Sequence, residues 1–179
     1  PIAVVGLAFK DEIETVLRSL WFVAFALIGW SVVMWLADMY GRTKRTETDT
    51  TWRDTLIIGI AQCLALIPGV SRSGATISAG LLRGFDRVAV TKLSFFLGIP
   101  ALVAAGALQA VTEHKHIAAG VGWGNTLLAT AVSAVVGYAV IAWLLKYVAH
   151  NNFSAFIWYR VILGGLVIAL LAGGVIAAV

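Results

Sequence analysis

Charge is what this sequence has least of. Only 12% of its 179 residues are Asp, Glu, Lys or Arg, against 60% hydrophobic residues and a mean hydropathy of +0.93. A soluble domain carries roughly twice that charge, so a water-soluble fold is excluded. Cysteine is nearly absent: Cys63 is alone and lies in an apolar run, which excludes an intrachain disulfide and reads as a small buried hydrophobe. No signal peptide is visible, and the chain begins at Pro1 without a methionine, so the start of the natural protein is expected to be missing. No histidine lies in an apolar run, since His114, His116 and His150 all fall in polar connections and read as surface residues. That removes the base of an intramembrane serine protease and the nucleophile of a histidine phosphatase. There is no G-x-x-x-x-G-K-[ST], and therefore no nucleotide-binding P-loop. The net charge of +4 needs no nucleic acid to explain it, because cationic loops beside a bilayer are its ordinary source.

What is present is a series of apolar runs near 20 residues long, the signature of membrane-spanning helices. The fold class is an all-α, polytopic membrane protein. Residues 2–9 look like the tail of a helix, and 10–19, with Asp11, Glu12, Glu14 and Arg18, like an interfacial link. Leu20 to Ala37 is a first full span, closed by Asp38, and 39–53 is a polar loop. Three further spans are expected at about 91–111, 126–148 and 156–178, with Pro100 kinking the first. Small residues at four-residue steps, Ala129, Ser133 and Gly137, then Gly165, Ala169, Gly173 and Ala177, read as packing stripes. Six of the seven tryptophans sit near run ends, as interfacial indoles do; Trp30 lies mid-run and reads as packing.

Between the first span and the others lies the segment 55–85, which fits no single span. Thr55 to Ile67 is about 20 Å long as a helix, short of a core of about 30 Å. Pro68-Gly69 breaks it, and Ser73 to Phe85 runs helical again. The segment is either one broken span or two half-helices that enter and return on the same side. Counting Lys and Arg decides. A re-entrant pair puts Arg42, Lys44, Arg45, Arg53, Arg83, Arg87, Lys92, Lys146 and Arg160 on one side and Lys10, Arg18 and Lys115 on the other, nine against three. A spanning segment gives five against seven, so the re-entrant reading is preferred, with the nine on the cytoplasmic side.

The break itself, Pro68 to Thr76, carries one guanidinium and three hydroxyls in nine residues. An arginine at membrane depth costs about 2.5 kcal/mol or more and marks a functional site by default. Ser71 or Ser73 is suited to cap the outgoing helix, leaving N–H groups near Ser73, Gly74 and Ala75 to converge on an anion. The planar fork of Arg72 suits a phosphate, and the hydroxyls of Ser71, Ser73 and Thr76 complete a donor-rich cup. Gln62, six residues before Pro68, either faces the same cavity or acts as interhelical glue.

The run Gln62-Cys63-Leu64-Ala65-Leu66-Ile67-Pro68-Gly69-Val70-Ser71-Arg72-Ser73-Gly74-Ala75-Thr76-Ile77-Ser78 resembles the second signature of the undecaprenyl-diphosphate phosphatase family, also called the bacitracin-resistance family. Ser94 to Pro100 and Tyr159-Arg160 resemble the same family downstream. The resemblance implies two inverted repeats, each a re-entrant pair with three spans, divided here into a remainder of the first repeat (1–54) and the second repeat (55–179). It implies a multi-pass protein of the bacterial inner membrane that hydrolyses undecaprenyl diphosphate to the monophosphate carrier for cell-wall synthesis, with a divalent metal, magnesium or calcium. It also implies catalytic roles for Arg72 and Ser71, with Ser73 and Gly74 lining the diphosphate site. Thr76, Gly69 and Gln62 are added to that site from their position in the motif. The family's first signature, E-x-x-x-E followed by P-x-S-S-T-G-H, is absent, and the acids of this chain lie in loops or at span ends. No metal ligand is therefore expected in this chain, which reads as the C-terminal two-thirds of a family member. The rival reading is a transporter or flippase of polyprenyl phosphate, since half-helices meeting at the midplane also serve transport. The oligomeric state, a homodimer included, stays open.

Overall fold

A computed structural model describes residues 1–9, 19–41 and 44–177. The interfacial link expected at 10–18, and Arg42, lie outside the described residues. The described residues are helical throughout apart from turns and a single bridge between Arg45 and Phe85. In chain order the helices are α1 (Ile2–Ala8), α2 (Leu20–Tyr40), α3 (Trp52–Ala61), α4 (Arg72–Leu82), α5 (Arg87–Thr112), α6 (His114–Ala119), α7 (Trp123–His150) and α8 (Ser154–Ala172). Four of them, α2, α5, α7 and α8, are long and apolar enough to cross a membrane. The protein is an all-α, multi-pass membrane protein.

Helix starts follow local capping chemistry. Thr51 and Asp54 form a reciprocal capping box at α3: the Asp54 N–H reaches Thr51 Oγ1 and the Thr51 N–H reaches Asp54 Oδ2. Asp86 caps α5 by accepting the Ala89 N–H at 2.7 Å. The 39–53 connection is less formless than expected, because Thr46 and Asp49 build a second capping box around a single 3-10 turn at Glu47–Asp49. The expected loop after α5 likewise holds the short helix α6.

The most extensive helix pair is α2 with α8, which run antiparallel. The Phe153 N–H reaches Asp38 at the end of α2, Arg160 reaches Leu27, and Gly164 lies on Ala24 and Ile28. A Cβ on Gly164 would stand 2.8 Å from Ile28 Cγ1, so this glycine lets the helices touch. The expected stripe was one residue out. Gly165 has nothing within 4 Å, and α8 ends at Ala172, so Gly173 and Ala177 fall beyond it. Gly137 on α7 likewise meets nothing, because α7 presents almost its whole surface outward among the described residues.

Segment 52–85 folds as a hairpin of two half-helices. Its first arm tightens from α3 into a 3-10 turn at Gln62–Leu66, reverses at 67–71, and returns as α4. Its open ends meet: Asp54 in the first turn of α3 pairs with Arg83 just past α4 at 2.9 Å. Its tip does not stay with those ends. Gly69 packs on Val23, Ala26 and Leu27 of α2, while Asp38, eleven residues further along α2, pairs with Arg87 at the start of α5. Eleven residues at a rise of about 1.5 Å place the tip about 16 Å from that charged end. Helix α5 gives the same depth, since Gly98, eleven residues after Arg87, touches the Arg72 guanidinium. Both helices put the tip about half-way along a length that would cross a bilayer.

Candidate functional site

The tip owes its shape to two residues with positive φ. Gly69 sits at φ +98°, and a Cβ there would come within 2.5 Å of the Val23 carbonyl, so only glycine fits. Ser71 sits at φ +73°, the only non-glycine residue in that region among those described. Such a conformation costs about 1–3 kcal/mol and persists only where the surroundings hold it, commonly at functional sites.

Of the two expected candidates, Ser71 and Ser73, Ser71 is the N-cap of α4, and its Oγ accepts the Gly74 N–H at 3.3 Å. The Ala75 N–H is taken by the Ser71 carbonyl. The expected N–H donors therefore move by a residue. Of the first three N–H groups of α4, Gly74's goes to the Ser71 hydroxyl, and those of Arg72 and Ser73 have no partner among the described residues, as is usual in the first turn of a helix. The Ser73 hydroxyl lies 3.3 Å from that of Ser71.

Arg72 extends away from α4 onto α5. A Cβ on Gly98 would stand 2.1 Å from its Nη1 and 2.5 Å from Cζ, so the guanidinium rests directly on the Gly98 backbone. It belongs to none of the ion pairs found among the described residues. Ser71, Ser73 and Gly74 also line a cavity of about 250 Å³ with Tyr159 and Arg160, and the Arg72 side chain is not part of its wall. The rest of that wall is apolar: Met34, Ile77, Phe95, Leu144, Phe153 and Phe156.

Two residues assigned to the cup on sequence grounds are placed elsewhere. Thr76 is fully buried, and its Oγ1 is engaged with the Arg72 and Ser73 carbonyls and with Ser94 Oγ at 2.7 Å. One turn into a helix, its hydroxyl bonds back to the preceding turn and never reaches the tip. Gln62 is 3% exposed with Oε1 unpartnered, and it lines a separate groove beside Pro1, Leu97 and Pro100. Gly69 shapes the tip through its backbone.

Arg160 was missed as a site residue and was counted with the cytoplasmic loops. It stands six residues inside α8 and points at the tip: Nη2 donates to the Gly69 carbonyl at 2.6 Å and the Val70 carbonyl at 3.2 Å, and Nε to Ser31 Oγ at 3.2 Å. The charge count becomes eight against three and keeps its sign. Gly98 and Trp30 were missed as well. The Trp30 ring edge and Met34 Sδ close over Gly74 at 3.3 and 3.2 Å from where its Cβ would be.

The acids gather at the other end of the hairpin. Asp54 is fully buried, bound bidentately by Arg45, and bonded also to Arg83 and Thr51. The Arg45 guanidinium, with further help from Thr51 and Arg83, holds the Asp54 carboxyl well below the usual carboxylate range despite its burial. Asp38 is bound by Arg87, and Glu47 by Lys92, which lowers the Glu47 carboxyl in turn. Arg45 also stacks on Phe85, 4.3 Å from the ring centre. Out in the connection after α5, Glu113 meets His116. No group of three or more His, Cys, Asp or Glu residues among the described residues could hold a metal ion.

Comparison with known proteins gives the chain a family. A protein described as "Undecaprenyl-diphosphatase 3" from Frankia casuarinae is 64% identical over 99% of this chain. Proteins described as "Undecaprenyl-diphosphatase" from Cutibacterium acnes and Mycolicibacterium smegmatis are 54% and 49% identical over 99% of it. The chain spans 64%, 65% and 65% of their respective lengths, just under two-thirds. The family pattern described as "Bacitracin resistance protein BacA" matches residues 1–166, which takes in the hairpin, α2, α5, α7 and the first two-thirds of α8, so the chain belongs to that family.

Proposed function

We propose that this chain supplies the phosphate-gripping part of an undecaprenyl-diphosphate phosphatase in the bacterial inner membrane. In that reading the hairpin enters the membrane from the cytoplasmic side and returns, and with α5, α7 and α8 it forms the second of two inverted repeats. The observation that carries the proposal is the hairpin tip at mid-depth. It combines an arginine that pairs with no carboxylate among the described residues, two N–H groups without backbone partners and two serine hydroxyls. A cluster rich in donors suits an anion with several oxygens, and the terminal phosphoryl group of a lipid diphosphate is one.

The reaction is attack of an oxygen nucleophile on the terminal phosphorus. The bond from that phosphorus to the bridging oxygen breaks, and the lipid monophosphate leaves with the electron pair. Arg72 and the free N–H groups stabilise the charge that spreads over the equatorial oxygens. The apolar cavity behind Ser71 and Ser73 suits the hydrocarbon next to the headgroup. The divalent metal implied by the family resemblance stays part of the proposal. The carboxylates Asp38, Asp54, Glu47 and Glu113 do not fit it, because each already has a cationic or imidazole partner. No step here runs through a metal.

The test is phosphate release from undecaprenyl diphosphate by the intact natural protein in detergent or vesicles, wild type beside Arg72→Ala. Metal-dependent release that falls at least roughly 10²-fold in the variant supports the reading. Movement of the intact lipid phosphate between leaflets without phosphate release would support the transporter reading instead.

A further inference from the structure

Arg160 is a second guanidinium at the tip, and the proposed chemistry has no use for it. Its recorded partners are the Ser31 hydroxyl and three main-chain carbonyls, those of Gly69, Val70 and Leu27, the last at 3.4 Å. The carbonyls of Gly69 and Val70 belong to the irregular stretch between the half-helices, where no helical ladder claims them. Left without a donor away from water they would be costly. Turned towards an anion they would repel it. Nη2 draws both of them to one side, and Ser71, the next residue along, holds φ +73°. Ser31 is fully buried and binds Nε while donating its own proton to the Leu27 carbonyl at 2.7 Å. The fastening thus joins α2 and α8, the most closely packed pair in the fold, to the two residues preceding the cup.

We propose that Arg160, oriented by Ser31, is a positioning residue. It holds the Gly69 and Val70 carbonyls away from the anion site and keeps Ser71 in its strained conformation, so that the free N–H groups and Arg72 are presented ready-made. The two arginines of the tip divide the work: Arg72 meets the ligand, and Arg160 meets the backbone. A lysine cannot take its place fully, because one ammonium lacks the fork that reaches Ser31 and the carbonyls together.

The effect on turnover rests on the proposed phosphatase reaction; the effect on the turn does not. The experiment therefore has two arms on the intact protein in detergent: hydrogen exchange in the segment 68–76, and kcat and KM for phosphate release from a polyprenyl diphosphate. For Arg160→Met, exchange in that segment is expected to rise at least roughly 10-fold, and kcat to fall by a similar factor, with KM within about 3-fold. Arg160→Lys should lie between, and Ser31→Ala should shift both by about 2- to 3-fold. Wild-type exchange in Arg160→Met overturns the inference. So does a rise in KM alone with unchanged exchange, which would make Arg160 a ligand for the lipid headgroup. If Arg160→Met does not fold, Arg160→Lys and Ser31→Ala decide, and unchanged exchange in both refutes the fastening. If the wild type releases no phosphate, the functional reading falls while the exchange arm still judges the turn.

Discussion

The two ends of the half-helix hairpin use arginine in opposite ways. At the open end, Arg45 and Arg83 close on Asp54, Arg87 closes on Asp38, and Lys92 closes on Glu47. At the tip, about 16 Å away, Arg72 rests on bare backbone and pairs with no carboxylate among the described residues. In the proposed re-entrant placement the open end has water beside it, so arginines there retain a cheap alternative and gather acids that fasten chain segments. The tip would then be at membrane depth, where an unpaired cation costs about 2.5 kcal/mol or more. A paired charge at the rim is a fastener; the unpaired one at the tip is what the proposed anionic ligand would meet. Arg160 sits between these cases, at the tip in position yet spent on carbonyls.

Substitutions at the two ends should therefore separate activity from stability. The largest effect is expected from Arg72→Ala, a fall in turnover of at least roughly 10² with an unchanged melting temperature. Near-normal phosphate release by that variant would erase the distinction. Asp54→Asn should do the reverse. Cutting a fully buried carboxylate from two arginines would cost 3–5 kcal/mol in a dry interior; with both arginines part-exposed, about 2 kcal/mol is expected, read as a lower melting temperature.

Gly98→Ala comes next and tests the tip alone. The methyl would collide with the flexible end of Arg72 and not with backbone, so the fold should survive while the guanidinium moves. Turnover should drop by roughly 10-fold with little change in thermal stability. Loss of both together would show that Gly98 serves helix packing. The pH dependence of stability tests the rim. The Asp54 carboxyl is held below its unfolded value, so its contribution is complete above the unfolded pKa near 4. That contribution should drain away as pH falls below about 4, and Asp54→Asn should flatten this limb of the curve. The smallest effect belongs to Lys92→Ala, whose partner Glu47 is part-exposed: under about 1 kcal/mol, fading with added salt.

Much of this was legible along the chain. Pro68-Gly69 announced a break, and Ser71 or Ser73 a cap, of which the structure uses Ser71 through a contact within four residues; the Thr51-x-x-Asp54 capping box, equally local, was missed at the end of what reads as loop. What was not legible depended on residues far apart in sequence. Asp54 stood among the terminal acids with nothing to mark it as the most buried charge, because its partners Arg45 and Arg83 lie nine residues before and 29 after it. Thr76 looked like part of the cup because it is near in sequence, but its hydroxyl bonds back along its own helix and across to Ser94. Gly98 was read as part of a motif without a role, since a seat for a guanidinium is visible only once Arg72 lies on it. Arg160 was counted as a loop cation because periodicity does not say which way an arginine near a helix end points.

The sequence by itself determined the class of the protein and the place of the turn at Pro68–Ser71. Sparse charge and apolar runs near 20 residues dictate membrane helices, and a polar break in a run too short to span dictates an irregular turn within them. Tertiary structure alone decided which polar groups at that turn are left over for a ligand. Hydrogen bonds and ion pairs exclude one another: a carbonyl held by Arg160, a hydroxyl spent on Ser94 and a carboxylate closed by two arginines are no longer available. What remains unspent, on Arg72 and at the first turn of α4, is known only after every partner across the fold has been found.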